Sequence, residues 1–227
     1  MEAIVLAGGR GTRLASVIQG IPKVLAPMGD RTFLELLLQR LRQKGMRRVV
    51  LSVGYMASSI RDRFGDDFEG LELAYAVEEE PLGTGGATMM ALTLASTDSV
   101  FVLNGDTFVD LEYADMLARH VDAGVTASIA VAQVPDCTRF GRVLIEHDRL
   151  AGYTEKGYAG PGLISAGTYV MNRDVFAPYD LPAVFSLETD FFVPHIKQLR
   201  PLAFVTAGYF IDIGIPEDLA RAQTELQ

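Results

Sequence analysis

The sequence predicts an α/β domain built on a mainly parallel sheet covered by helices, and three observations carry that reading. Short apolar runs alternate with helical patterns through the first half of the chain. The first of those runs ends in a glycine-rich turn that carries cations. With 227 residues, 49% hydrophobic and 22% charged, the chain can form one full domain with a substantial core and leaves little for a second.

The run at 3–7 is unbroken and apolar, as a buried parallel strand should be. Runs at 49–53, 71–77 and 100–103 predict further strands. Residues 33–44 predict a helix with Leu34, Leu37, Leu38 and Leu41 on one face. Gly45 is a natural stop for it, and Arg40, Arg42 and Lys44 suit a C-terminal turn, where cations are favoured. Two more helices are expected, at 86–94 and 112–123.

The second half changes character. Strands at 127–134, 141–145 and 163–170 follow with fewer helices between them, the last two joined through a glycine-rich loop at 157–162. Residues 188–199 predict a helix that Pro194 should kink or restart. Short strands are expected at 202–206 and 209–213, and Pro216 opens a terminal helix in a first-turn position. There is no internal repeat, low-complexity tract or linker, so one domain is expected over 1–227.

Composition excludes several function classes. No apolar run approaches the roughly 20 residues of a membrane span. The N-terminus enters a strand without a basic leader, and Cys137 has no partner for an intrachain disulfide, so a cytoplasmic protein is expected. His120, His147 and His195 lack metal-ligand spacing and read as surface or packing residues. A net charge of −9 and a pI near 4.8 argue against a nucleic-acid partner.

Against that anionic background, the stretch Leu6-Ala7-Gly8-Gly9-Arg10-Gly11-Thr12-Arg13-Leu14 stands out, with Lys23 following soon after. Between Glu2 and Asp30 there is no acidic residue, while Arg10, Arg13 and Lys23 all fall there. Glycines let backbone N–H groups approach an anion, and the cations suit a triphosphate. The dinucleotide fingerprint G-x-G-x-x-G fails at Leu14, and the Walker A pattern fails because Thr12 and Arg13 follow Gly11.

Three more strand ends carry suggestive residues: Glu78-Glu79-Glu80-Pro81-Leu82-Gly83-Thr84, then Asn104-Gly105-Asp106, then Asp212. Asp106 and Asp212 form a natural magnesium pair, since Mg²⁺ takes one or two carboxylates together with substrate phosphates. The plain alternative for Asp106 is a turn or N-cap aspartate.

Taken together, G-G-x-G-x-R-L at 8–14, Pro22-Lys23, P-L-G-T-G-G-A at 81–87, N-G-D at 104–106 and D-x-G-x-P at 212–216 resemble the sugar-1-phosphate nucleotidyltransferases. Within that family the blocks look most like the D-glycero-α-D-manno-heptose-1-phosphate guanylyltransferases. Mannose-1-phosphate guanylyltransferases and N-acetylmuramate-1-phosphate uridylyltransferases carry similar blocks. The resemblance implies a Rossmann-like, three-layer αβα fold of the nucleotide-diphospho-sugar transferase type. Its nucleotide-binding half would cover about 1–125 and its sugar-binding half about 126–227.

The implied reaction is in-line attack of a sugar 1-phosphate on the α-phosphorus of GTP, with pyrophosphate leaving and Mg²⁺ as cofactor. By resemblance, Leu6, Ala7, Gly8, Gly9, Gly11 and Thr12 wrap the nucleotide, joined by Gly83 and Thr84. Arg13 would hold the β- and γ-phosphates, Lys23 would bridge the α-phosphate and the sugar phosphate, and Asp106 and Asp212 would hold the metal. The base-reading position falls on Glu78, with Glu80 as a second candidate. One carboxylate can accept from both N1–H and N2–H₂ of guanine, though a solvated acidic turn is the plain alternative.

On the sugar side, Gly141, Glu155, Lys156 and Gly167 match family blocks, and Asn104 joins them. The chain departs from the pattern at Phe140, where tyrosine is common, and at Ser165, where an asparagine usually meets the sugar. The product would be a GDP-heptose for a bacterial capsule, lipopolysaccharide or S-layer glycan. Self-association into a homo-oligomer stays open. A metal-dependent glycosyltransferase would show Asp-x-Asp at the metal strand, and residue 104 is Asn. A non-catalytic regulatory subunit would have lost a phosphate-gripping cation or a metal carboxylate, and all four are retained.

Overall fold

A computed structural model describes residues 1–9, 11, 14, 17–18 and 20–226. The first half begins with β1 (Glu2–Leu6), a 3₁₀ turn at Lys23–Leu25, the short pair β2 (Pro27–Met28) and β3 (Arg31–Thr32), and α1 (Phe33–Gln43). It continues through β4 (Arg48–Val53), α2 (Ala57–Phe64), β5 (Asp67–Phe68), β6 (Leu71–Val77) and α3 (Gly83–Leu92). Then come β7 (Ser99–Asn104), β8 (Thr107–Val109) and α4 (Tyr113–Asp122). The second half contains β9 (Ala127–Val134), β10 (Val143–Glu146), β11 (Arg149–Tyr153) and β12 (Gly162–Asn172). A π-helical turn at Leu187–Phe192 runs into α5 (Val193–Leu199), followed by β13 (Leu202–Thr206), β14 (Phe210–Asp212) and α6 (Pro216–Glu225).

One ten-stranded sheet carries the fold, in the order β10-β11-β13-β9-β12-β7-β1-β4-β6-β5. Its β7-β1-β4-β6 portion is parallel, each strand returning through a crossover. The strand β12 enters between β7 and β9 antiparallel to both. This is what the thinning of helices in the second half foretells, because antiparallel neighbours need no crossover helix.

Local chemistry explains the element ends. Thr32 caps α1 in a capping box with Glu35, each side chain meeting the other's backbone N–H. The apolar face of that helix, Leu34, Leu37, Leu38 and Leu41, is at most 2% exposed, and each such burial contributes about 1.5–3 kcal/mol. Pro194 falls in the first turn of α5, so the expected 188–199 helix is a π turn followed by a fresh α-helix.

The helix expected at 86–94 begins earlier, at Gly83. Its glycines make that possible by admitting the 183–185 segment: a Cβ on Gly86 would lie 2.2 Å from the Ala183 carbonyl oxygen, and one on Gly85 2.1 Å from the Phe185 ring. The helix α2 and strands β2, β3, β5, β8 and β11 have no counterpart in the sequence reading. Each is short, and α2 is preceded by Met56 in a left-handed conformation with no side-chain cap.

Candidate active site

The chain builds from β1 outward to β4 and β6, then crosses back to β7 on the other side of β1. Such a reversal opens a crevice beyond the carboxyl ends of the strands. A cleft of about 300 Å³ occupies it. Leu6, Ala7, Gly8 and Gly9 form one wall as the chain leaves β1, and Glu78, Gly83 and Thr84 form another between β6 and α3. Lys23, Asn104 and Asp106 close its third side. Gly11 has φ +62°, and a Cβ there would lie 2.9 Å from Cβ of Lys23, so the loop sits tight against the lysine. Arg10, Thr12 and Arg13 lie outside the described residues.

Glu78 is the first residue after β6, and its backbone N–H continues the ladder to the Val53 carbonyl at 2.8 Å. Its carboxylate accepts from Leu82 N–H at 3.0 Å and from the Ser52 hydroxyl at 3.3 Å. A Cβ on Gly8 would fall 2.6 Å from its Oε1, so the glycine is what lets the first loop and this carboxylate share one wall. A carboxylate has about four lone-pair sites, so acceptor capacity remains. Glu80 is exposed and lines neither cleft, because three residues past the strand the chain has already turned to solvent. The Thr84 hydroxyl oxygen accepts from Leu187 N–H at 2.9 Å.

A second cleft of about 520 Å³ adjoins the first and shares Asn104 and Asp106 with it. Gly141, Glu155, Lys156, Ser165, Gly167 and Asp212 all line it. Gly167 adopts φ +63°, and a Cβ there would stand 2.5 Å from the Asn104 amide nitrogen, so β12 can approach the end of β7 only with glycine at this point. Gly141 is likewise pressed to the Thr154 carbonyl, 2.8 Å from the position of a Cβ.

Lys23, Asp106 and Asp212 meet where the clefts join. Lys23 Nζ donates to Asp106 Oδ2 at 2.5 Å. The antiparallel ribbon β8–β14 registers Thr107 against Asp212, and Ile213 N–H donates to the Asp106 carbonyl at 2.9 Å. That ribbon brings together two carboxylates more than a hundred residues apart. Burial, followed by the neighbouring charge of Asp106, pushes the Asp212 carboxyl above its usual range; Lys23 and the Gly214 N–H oppose the shift. Two carboxylates crowded this way, one already compensated by an ammonium, have the donor chemistry a hard divalent cation takes. No cluster of three or more His, Cys, Asp or Glu suited to a metal occurs among the described residues, so any remaining ligands would be water or phosphate oxygens.

Several residues at the site escaped the sequence reading. Arg139 forms ion pairs with both Asp212 and Asp218. Tyr153 and Glu188 line the second cleft, and Tyr169 bonds to Glu188 from beneath. None lies in a glycine or carboxylate motif at a strand end. The only signal for Glu188 was its place at the start of a helical pattern, where acids are common on any protein.

A family model described as "Nucleotidyl transferase" matches residues 2–227. The D-glycero-alpha-D-manno-heptose 1-phosphate guanylyltransferase of Aneurinibacillus thermoaerophilus is 37% identical, the match covering 100% of this chain and 99% of that one. The Campylobacter jejuni protein of the same name is 39% identical over 96% of each. Among solved structures, HddC from Yersinia pseudotuberculosis superposes with a TM-score of 0.89 at 36% identity, covering 100% of this chain and 99% of that one. The same protein complexed with GMP-PN gives 0.88 at 35% identity, over the same shares of each chain.

Proposed function

The chain belongs to the nucleotidyl transferase family, and from that membership we propose that it transfers GMP from GTP to D-glycero-α-D-manno-heptose 1-phosphate, releasing pyrophosphate. The observation that carries this reading is the junction of the two clefts at Lys23, Asp106 and Asp212. A transfer between two phosphorylated substrates needs two sites sharing one charge-compensating point, and this is where they share it. The names of the full-length relatives support the heptose and the guanine nucleotide.

Phosphoryl-type transfer asks mainly for positioning and charge neutralisation. Gly8 and Gly9 present backbone at the first cleft, where GTP would lie with guanine against Glu78. Lys23 lines the first cleft and donates to Asp106, which both clefts share, so its ammonium would hold the α-phosphate and the incoming sugar phosphate together. Arg13 would restrain the β- and γ-phosphates. Asp106 and Asp212 would hold Mg²⁺, which supplies charge neutralisation on the phosphates when bound. Glu155 and Lys156 would take up the sugar phosphate from the far wall of the second cleft. No general base is needed, because the attacking phosphate is already ionised. The product would feed a capsule, lipopolysaccharide or S-layer glycan made from the cytoplasmic side.

The test is pyrophosphate release with Mg²⁺, crossing GTP, UTP, dTTP, CTP and ATP against heptose, mannose and glucose 1-phosphates. Turnover confined to GTP and the heptose is expected. Turnover with a different pair would overturn the substrate assignment, and no pyrophosphate from any pair would overturn the enzymatic reading.

A further inference from the structure

We propose that Glu188 is a specificity-determining residue of the second cleft, its carboxylate accepting hydroxyls of the bound sugar and Tyr169 holding it in place. The inference deepens the reading above, since it rests on a sugar 1-phosphate occupying that cleft.

A directed series of hydrogen bonds runs from Gly167 to Glu188. Gly167 N–H, which can only donate, lies 3.3 Å from the Ser165 hydroxyl oxygen. Ser165 lies 3.2 Å from the Tyr169 hydroxyl, and Tyr169 donates to Glu188 Oε1 at 2.7 Å. Since the phenol spends its one proton on the carboxylate, the serine must donate to the phenol. Every proton in the series therefore points towards Glu188, so the series ends on an acceptor. Burial and the charge of Glu188 hold the Tyr169 phenol well above its ordinary range, which keeps it a donor. Tyr169 is 1% exposed and stacked on Phe192 with ring centroids 5.3 Å apart, so it is a rigid mount.

The other oxygen of Glu188 takes no hydrogen bond from the described residues, and Glu188 is half-buried on the cleft wall. Nearby on the same wall, the hydroxyl of Tyr153 is enclosed and has no hydrogen-bond partner among the described residues. Enclosed polar atoms without partners are rare in folded proteins and at a cleft mark a place completed by something bound. A carboxylate does not suit the phosphate end of the substrate, which carries like charge. Lys23 and Lys156 serve that end, leaving Glu188 the neutral, hydroxyl-bearing part. Ser165 gains a reason as well: a hydroxyl there accepts from Gly167 and passes its own proton to Tyr169, all in one short side chain.

The experiment compares wild type with Glu188→Gln and Tyr169→Phe by steady-state kinetics, and by calorimetric binding of D-glycero-α-D-manno-heptose 1-phosphate and mannose 1-phosphate. For Glu188→Gln, KM and Kd for the sugar phosphate should rise roughly 10- to 100-fold, as loss of a charged hydrogen bond implies, with KM for GTP within about twofold of wild type. Tyr169→Phe should move the same constants less and in the same direction, a split that simple loss of stability would not produce. An unchanged GTP constant also shows that each variant is folded. If wild type binds a sugar phosphate and Glu188→Gln binds it equally well, this proposal is overturned and the transferase reading stands. If wild type binds GTP but neither sugar phosphate, both fall together.

Discussion

The ammonium of Lys23 donates to Oδ2 of Asp106 at 2.5 Å across a separation of 83 residues. Lys23 is only 9% exposed, so its charge needs this compensation. The lysine arrives on a 3₁₀ turn behind Pro22, and the aspartate on the tight Asn104-Gly105-Asp106 turn after β7. Each is thus anchored to backbone beside β1, and both face the junction of the two clefts.

Replacing Lys23 by alanine should lower kcat by about 10²–10³, the usual loss when one preorganised charge is removed from a transferring group. Pyrophosphate-release kinetics at saturating GTP measure it. A rate within threefold of wild type would remove Lys23 from the mechanism.

Gly105→Ala tests position without touching charge. A Cβ there would lie 2.6 Å from the Leu6 carbonyl oxygen and 3.1 Å from a Val24 methyl, so the turn carrying Asp106 must shift. A displacement near 1 Å costs about 10² in rate. Thermal unfolding should change far less than activity; equal activity in the alanine variant would show that the turn has room to spare.

Chelation of divalent cations should abolish turnover, and added Mg²⁺ should restore it in wild type. Asp106→Asn and Asp212→Asn should each stay inactive at any tested Mg²⁺ concentration. The assay is a Mg²⁺ titration of pyrophosphate release, and activity that survives exhaustive chelation would refute the metal assignment.

Glu2 governs acid stability at the opposite end of the sheet. Its side chain is buried, which alone would raise its pKa, but N–H and hydroxyl groups of Ser96 and Thr97 together with the Arg48 guanidinium outweigh burial and hold it below the usual carboxylate range. A depressed folded-state pKa contributes stability that is present above the unfolded pKa and is lost as pH falls through the folded one. Glu2→Gln should therefore destabilise the protein by about 3–5 kcal/mol at neutral pH, with the gap closing as pH drops below the carboxylate range. Urea unfolding of both proteins across pH 3–8 reads this out, and a gap that does not vary with pH would contradict it.

Much of this protein was settled by the sequence alone. Apolar runs with one periodicity and glycine turns with cations are local patterns, so β1, β4, β6 and β7 were legible to within a residue at each end, as were the motifs that follow β1, β6 and β7. The terminal helix at Pro216 and the capped helix α1 followed from backbone chemistry of the same local kind. Asp106 and Asp212 could be paired in advance only as two carboxylates at strand ends. What placed them together was the β8–β14 ribbon: β14 falls within the strand expected at 209–213, but its three-residue partner β8 is too short to leave a period in the sequence.

The tertiary structure also decided matters on which local pattern is silent. By resemblance Gly83 belongs to the nucleotide wrap, yet the contacts at Ala183 and Phe185 show that it, Gly85 and Gly86 also form a packing surface for a segment a hundred residues away. Glu80 and Glu78 were indistinguishable in composition; only the end of β6 set one against Gly8 and turned the other to water. The series from Gly167 through Ser165 and Tyr169 to Glu188 joins two elements whose hydrogen bonds depend on how the π turn docks beneath β12. Periodicity and turn chemistry act over a few residues, whereas a shared cleft depends on distances through space that sequence separation does not encode.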